Sequence, residues 1–366
     1  MEIEPFSYMG WAKREGSGSG HRLTRSGTLP PPARILHPLP ELFALEELES
    51  YGPPATKALI AARHGLTPDR VFLVPGGASM ALFLVGMVLL DRDDLVLAEE
   101  PGYESLHRFA QFPRARVRPF RRQDDARGTP DLDSLEKGLA EGARLVVLTN
   151  LHNPYGTDLG REGLQEILTL AERAGARVVC DEVFAEFLPP GERPPACQEL
   201  SPTALTLSSF TKAFGLGSLR QGWILADPET VERLALAFDL MGVASPTLPL
   251  LVVHRLLERE EEARAWLRRE LAGVPAALDR LGRHPRLRFP RPAGGVTLFP
   301  TVRGWPDTTP LCAELAGKHG VHVVPGRFFG APERIRLGLG LPPAELEACI
   351  TAFLAALDAC RPPDPA

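Results

Sequence analysis

The chain has 366 residues, 44% hydrophobic and 24% charged, with 41 basic against 46 acidic side chains and a net charge of −5. That is enough for a sizeable core and two domains, in the mix of an ordinary globular protein. The slight acidic balance gives no electrostatic reason to expect nucleic acid or an anionic membrane as a partner.

The longest apolar stretch, Ala78 to Leu90, contains Ser79 and Gly86 and is too short to span a bilayer, so it reads as a buried helix. No basic segment followed by an apolar one opens the chain, and no secretory leader is expected. Five scattered cysteines (Cys180, Cys197, Cys312, Cys349, Cys360), odd in number and without a CxxC pair, argue against a disulfide framework or a zinc site. They point to a reducing cytoplasm.

Residues 12–33 are rich in Gly, Ser, Arg and Pro and read as a mobile arm. From about residue 53 short apolar runs recur at Val71–Val74, Leu95–Ala98, Leu145–Leu148, Val178–Cys180, Leu205–Leu207 and Trp223–Ala226. Between them lie helical patterns. Leu164, Ile167, Leu168 and Ala171 follow the i, i+3, i+4, i+7 rule, which predicts an amphipathic helix over Gly163–Ala174. Continuous rather than alternating apolar strands separated by helices predict an α/β fold, a mostly parallel sheet covered by helices on both faces. A long charged helix, about Leu256–Leu271, leads to a smaller α+β part with strands at Val321–Val324 and Ile335–Leu337. The expected division is 1–45 as an arm and part of the small domain, 46–255 as the large domain and 256–366 as the small one. No internal repeat is seen.

Candidate chemistry falls at the carboxyl ends of the strands, where open parallel sheets place ligands. After Leu73-Val74, the turn Pro75-Gly76-Gly77-Ala78-Ser79 opens a helix whose free N–H groups suit an anion. After Leu97-Ala98 comes Glu99-Glu100-Pro101-Gly102-Tyr103, able to set an aromatic ring over a flat cofactor. Asn153, in Asn150-Leu151-His152-Asn153-Pro154-Tyr155-Gly156, can donate to a phenolate oxygen, though Asn-Pro also makes a plain turn. Its neighbour His152 is a weaker acid/base candidate. Asp181, at the end of a buried strand, needs a partner such as a protonated pyridine nitrogen. With Glu182 it invites a metal reading, yet no histidine has ligand spacing to the pair. The run Leu207-Ser208-Ser209-Phe210-Thr211-Lys212-Ala213-Phe214-Gly215-Leu216-Gly217-Ser218-Leu219-Arg220 carries the strongest signal. A lysine in such a pocket can be desolvated into its nucleophilic form, and an arginine fork beside it grips phosphate.

Taken in order, these motifs resemble the fold-type-I pyridoxal phosphate enzymes, specifically the class I/II aminotransferase family, over roughly residues 45–345. The resemblance implies pyridoxal 5'-phosphate as cofactor and Lys212 as Schiff-base lysine and proton shuttle. Asp181 would pair with the ring nitrogen, Asn153 with the phenolic oxygen, and Tyr103 would stack on the ring. Gly77, the Ala78 N–H, Ser79, Ser209 and Arg220 would form the phosphate cradle. Tyr51, before Gly52-Pro53-Pro54, looks like the tyrosine that the family lends across a dimer interface, although the family's downstream glycine is replaced by Ala55-Thr56. Arg336, in Arg336-Leu337-Gly338, matches the family's carboxylate-binding arginine, with Arg334 as a rival, and the resemblance implies that Asn153 contacts the substrate as well. Phe184 stands where the family has a tyrosine donor to the phenolic oxygen, and Arg327 is unusual in the loop Val324–Gly330.

The resulting expectation is an aminotransferase moving an amino group from an α-amino acid to a 2-oxo acid, as a homodimer with shared sites. A lyase or decarboxylase of amino acids on the same fold is the alternative. A Rossmann dehydrogenase fails because Gly215-x-Gly217 does not continue as G-x-G-x-x-G. A cofactor-sensing regulator would need a basic helix-turn-helix segment before residue 45, and none is present.

Overall fold

A computed structural model describes residues 6–14, 19–37, 51–123, 125 and 128–363. At its centre lies a seven-stranded sheet of β1 (Val71–Pro75), β2 (Leu95–Glu100), β3 (Arg116–Arg121), β4 (Ala143–Thr149), β5 (Arg177–Asp181), β6 (Leu205–Ser209) and β7 (Gln221–Leu225). Their spatial order is β1-β7-β6-β5-β4-β2-β3. All neighbours are parallel except that β7 runs antiparallel to both β1 and β6. The six apolar runs expected to be strands all are strands, because their residues are buried on both faces. One face packs on Ala78–Leu89 through Phe72, Val74, Val96 and Ile224. On the other, Leu97, Val146 and Val178 meet the helix Gly160–Arg173, which buries the four predicted residues Leu164, Ile167, Leu168 and Ala171.

The expected single helix over Leu256–Leu271 is two, Thr247–Glu258 and Glu260–Glu270. Arg259 breaks between them with φ −114 and ψ 32, and Glu260, Glu261 and Glu262 sit in the first turn of the second helix, where the helix dipole favours negative charge. Both helices share the hydrophobic cluster of the sheet's Trp223, and the expected division at 255/256 falls inside the first of them. The division at 45/46 lies outside the described residues.

A second cluster gathers Val274, Leu281, Leu298, Leu315, Leu337 and Phe353. It surrounds a short sheet of Thr297–Leu298, Ile335–Gly338 and Val324–Pro325, all antiparallel. The described part of the stretch expected to be a mobile arm is packed. His21–Arg22 pairs with Val321–His322 as a parallel strand, and Leu23 is fully buried in the second cluster. Thr28 N donates to Lys212 O at 3.0 Å and Thr28 Oγ1 to Ala213 O at 2.9 Å, so the segment lies across the lysine loop.

Candidate active site

Four strand ends and one strand beginning meet at one edge of the sheet. Thr149 at the end of β4 pairs with Asp181 at the end of β5, which pairs with Leu207 of β6. Ser209 ends β6 opposite Gly222, and Pro75 ends β1 opposite Gln221. Because β7 runs backwards it starts at this same edge, which brings Arg220 beside the β1 turn. Above the edge is a cavity of about 1110 Å³, lined by all three sequence segments: the N-terminal stretch, the strand-end loops and Arg336.

Lys212 is partly buried in this cavity, its Nζ donating to Ser26 Oγ at 3.2 Å. Burial, with the nearby Arg336 and Arg220 guanidinium groups, lowers its pKa to about 8, against an opposing pull from Asp181. Asp181 is buried and accepts from Val183 N at 3.0 Å. Burial pushes its carboxyl up to about 6, although Val183 N and Lys212 favour the charged form. Glu182 turns away from the cavity to accept from Cys197 N at 2.8 Å and Thr206 Oγ1 at 3.1 Å. Its carboxyl and the thiols of Cys180 and Cys197 lie within 4.8 Å of one another, and burial holds the Cys180 thiol in its protonated form.

Asn153 lines the cavity, and its buried Oδ1 has no partner. The residue is held from below by a network that sequence reasoning missed. Asn153 N donates to Thr149 Oγ1 at 2.9 Å, and the Thr149 hydroxyl donates to Glu99. Glu99 in turn accepts from Arg122 Nε at 2.9 Å. His152 does not line the cavity: its Nε2 is bonded to Pro101 O at 2.9 Å, and burial lowers its pKa well below the usual range. Tyr103 and Phe184 do line it.

Ala78, Ser79, Ser209, Thr211 and Arg220 border the cavity at the start of the helix Ala78–Leu89. Arg220 holds a left-handed φ of 51°, and its Nη2 donates to Gly76 O at 2.6 Å. For a residue with a Cβ that conformation costs roughly 1–2 kcal/mol. Gly77 holds φ +71, a conformation strained for any residue with a Cβ, so glycine suits the turn beside Arg220.

Arg336 is fully buried and faces the cavity, whereas Arg334 turns aside to Phe299 O at 3.0 Å and over the Tyr155 ring. Arg327 is exposed, beside the Phe328 ring. Tyr51 lies outside this chain's cavity and donates to Asp239 Oδ2 at 2.7 Å. The N-terminal residues Tyr8, Trp11 and Ser26 also line the site. An aromatic Tyr8-x-x-Trp11 spacing, one helical turn, was the only signal for the first two.

A family model, aminotransferase class I and II, matches residues 18–353. Capreomycidine synthase of Streptomyces vinaceus is 32% identical over 333 residues, covering 86% of this chain and 83% of its own. The 2-aminoadipate transaminase of Thermus thermophilus is 32% identical over 282 residues, 73% of this chain and 68% of its own. A pyridoxal phosphate-dependent aminotransferase from Streptococcus suis superposes with a TM-score of 0.90 over the whole of both chains at 23% identity. On the family match across nearly the whole chain, this protein belongs to the class I and II aminotransferases, whose cofactor is pyridoxal phosphate.

Proposed function

We propose that Lys212 anchors pyridoxal phosphate and that the protein uses it to move an amino group from an α-amino acid to a 2-oxo acid. The observation that carries this reading is the meeting of Lys212, Asp181, Asn153, Arg220 and Arg336 around one cavity. The residues fit the cofactor. A lysine lowered to about 8 suits amine capture, the cradle at a helix start suits a phosphate, and Asn153 lines the same cavity.

When bound, pyridoxal phosphate supplies a carbonyl that captures amines and a ring that draws electrons from the bond being broken. Lys212 would hold that carbonyl and, once displaced by substrate, carry the α-proton on Nζ. Asp181 would keep a proton on the ring nitrogen, and a buried carboxylate gains the partner it needs. Asn153 would donate to the ring oxygen while Tyr103 covers the ring face. Phe184 would fill the side where a tyrosine donor is missing. The Ala78 N–H, Ser79, Ser209 and Arg220 would grip the phosphate, with Gly77 opening the turn. Arg336 would take the substrate carboxylate.

A homodimer is part of the proposal. Tyr51 would reach the phosphate of a second copy, and Leu240 (90% exposed) and Val243 (72% exposed) leave apolar surface beyond its Asp239 partner. A monomeric mass in solution with cofactor bound would refute that part. A cytoplasmic location is supported by five free cysteines.

Borohydride reduction and peptide mass mapping should find the pyridoxyl group on Lys212; finding it on Lys57, Lys137 or Lys318 overturns the anchor. Added amino acids should bleach the yellow band with release of one oxo acid. The similarity to a protein named as a synthase rather than a transaminase leaves a second reading, a lyase or decarboxylase acting on an amino acid on the same fold. In that case the yellow form returns after each turnover without any oxo-acid acceptor.

A further inference from the structure

Arg336 holds N–H groups in reserve. Its guanidinium lies 5.0 Å from the ring centroids of both Tyr8 and Phe329. Nη2 donates to the Tyr8 hydroxyl and, at 3.1 Å, to Thr24 O, which uses both of its hydrogens. Nε is buried and has no partner. Leaving a charged donor unmet in the interior is costly, so the site is complete only when an acceptor arrives.

The Tyr8 hydroxyl is in the same condition. Having accepted from Arg336, it still carries its own proton, and among the described residues no acceptor takes it. Tyr8 and Arg336 both face the cavity. Two side chains with unspent donors, separated by 328 positions in the chain, thus line one cavity.

We propose that the Tyr8 O–H and an unspent N–H of the Arg336 guanidinium together seat the substrate α-carboxylate, one donor to each oxygen. Tyr8 is therefore a substrate-binding residue; this rests on the assignment of Arg336 made above. The hydroxyl comes preorganised. Glu104 accepts from Ser7 N at 3.0 Å and Tyr8 N at 2.8 Å, meeting the free donors that open the helix Ser7–Arg14. The Tyr8 ring is wedged against Tyr103, Phe328 and Phe329, with centroids 5.7–6.0 Å away. A side chain already fixed in its bound rotamer loses little entropy when the ligand docks. Glu104 directly follows Tyr103, so one loop sets both the ring that faces the cofactor and the helix that faces the substrate.

The test is a titration of the holoenzyme with propionate, read from the visible band of the bound cofactor, with propionamide as the uncharged control. Tyr8→Phe keeps the ring over Arg336 and removes only the hydroxyl. It should weaken propionate about 10-fold or more, the scale of one hydrogen bond to a charged group, and leave propionamide unchanged. The unliganded band should match that of the wild type, while loss of the hydrogen bond from Arg336 should lower the melting temperature. Equal or tighter propionate binding in Tyr8→Phe overturns the proposal, because the hydroxyl would then ignore the carboxylate or compete with it. Arg336→Ala separates the two readings. If it loses propionate while Tyr8→Phe does not, only the role of Tyr8 falls. If Arg336→Ala and the wild type are alike, including no measurable binding by either, the Arg336 assignment falls as well.

Discussion

Lys212 should capture pyridoxal phosphate at a pH where an ordinary lysine is still protonated. Its value of about 8 results from burial and the Arg336 and Arg220 charges, opposed by Asp181. At pH 7 a lysine with that value is neutral in about one molecule in eleven; at the ordinary value of 10.5 it is neutral in about one in 3000, so the gain is about 300-fold. The assay is the rate at which the yellow band grows when cofactor is added to apo-protein, from pH 6 to 10. Rates for a blocked lysine derivative in the same buffers normalise for the cofactor's own ionisations. The normalised rate should rise through a midpoint near 8. Asp181→Asn should move that midpoint down, since Asp181 is the one neighbour that favours the charged amine. A midpoint above about 9.5, or an upward shift in Asp181→Asn, would refute the electrostatic account. Linkage has a defined sign here. Between about 8 and 10.5 the unfolded chain binds the proton that folded Lys212 has lost, so this residue makes the apo-protein more stable as pH rises through that window.

Phe184→Tyr should lower the spectroscopic pKa of the Lys212-bound cofactor by about 1–2 units, the value of one hydrogen bond to a charged oxygen. His152 and Tyr155 do not line the cavity, and an unchanged or raised value would mean that another donor already serves that oxygen. Arg336→Ala should cut kcat/KM by about 30-fold or more, as loss of one partner of a buried charge pair does. Arg334→Ala should instead lower the melting temperature, because that side chain braces Phe299 O; the reverse pattern would move the carboxylate seat by two residues. Glu182 is pushed up to about 8 by burial, so between about 4.5 and 8 the folded chain holds a proton that the unfolded chain has released. Its contribution therefore falls as pH climbs through that window. Glu182→Gln should raise the melting temperature at pH 8.5 and change it little at pH 5; equal shifts at both would show that the proton is not the cause.

The parallel sheet was legible because its strands are buried on both faces and read as unbroken apolar runs, as Val71–Val74 does. The edge strand Arg116–Arg121 escaped notice: it carries three arginines and buries only Phe120, and an edge strand facing solvent gives no such run. The site was legible for a topological reason. Loops after strand ends converge wherever strands are parallel, so Asn153, Asp181 and Lys212 could be assembled without coordinates. The N-terminal contribution was hidden by composition. Gly, Ser and Pro between residues 12 and 33 resemble a linker, and nothing local announces that Thr28 bonds the backbone of Lys212. Tyr8 was hidden too, because its importance lies in a contact with Arg336 at the far end of the chain.

Thr28 and its partner Lys212 are 184 positions apart. On a ribosome adding 5–20 residues per second, that gap corresponds to roughly 10–40 s. Throughout that time the segment from Ser26 to Leu29 has no lysine loop to lie on. A Cβ on Gly215 would collide with the Leu29 carbonyl, so the two strands of chain fit only when the later one takes its final shape. The part of the protein that leaves the ribosome first is therefore among the last to settle, and nascent chains halted before residue 213 should leave it open to protease.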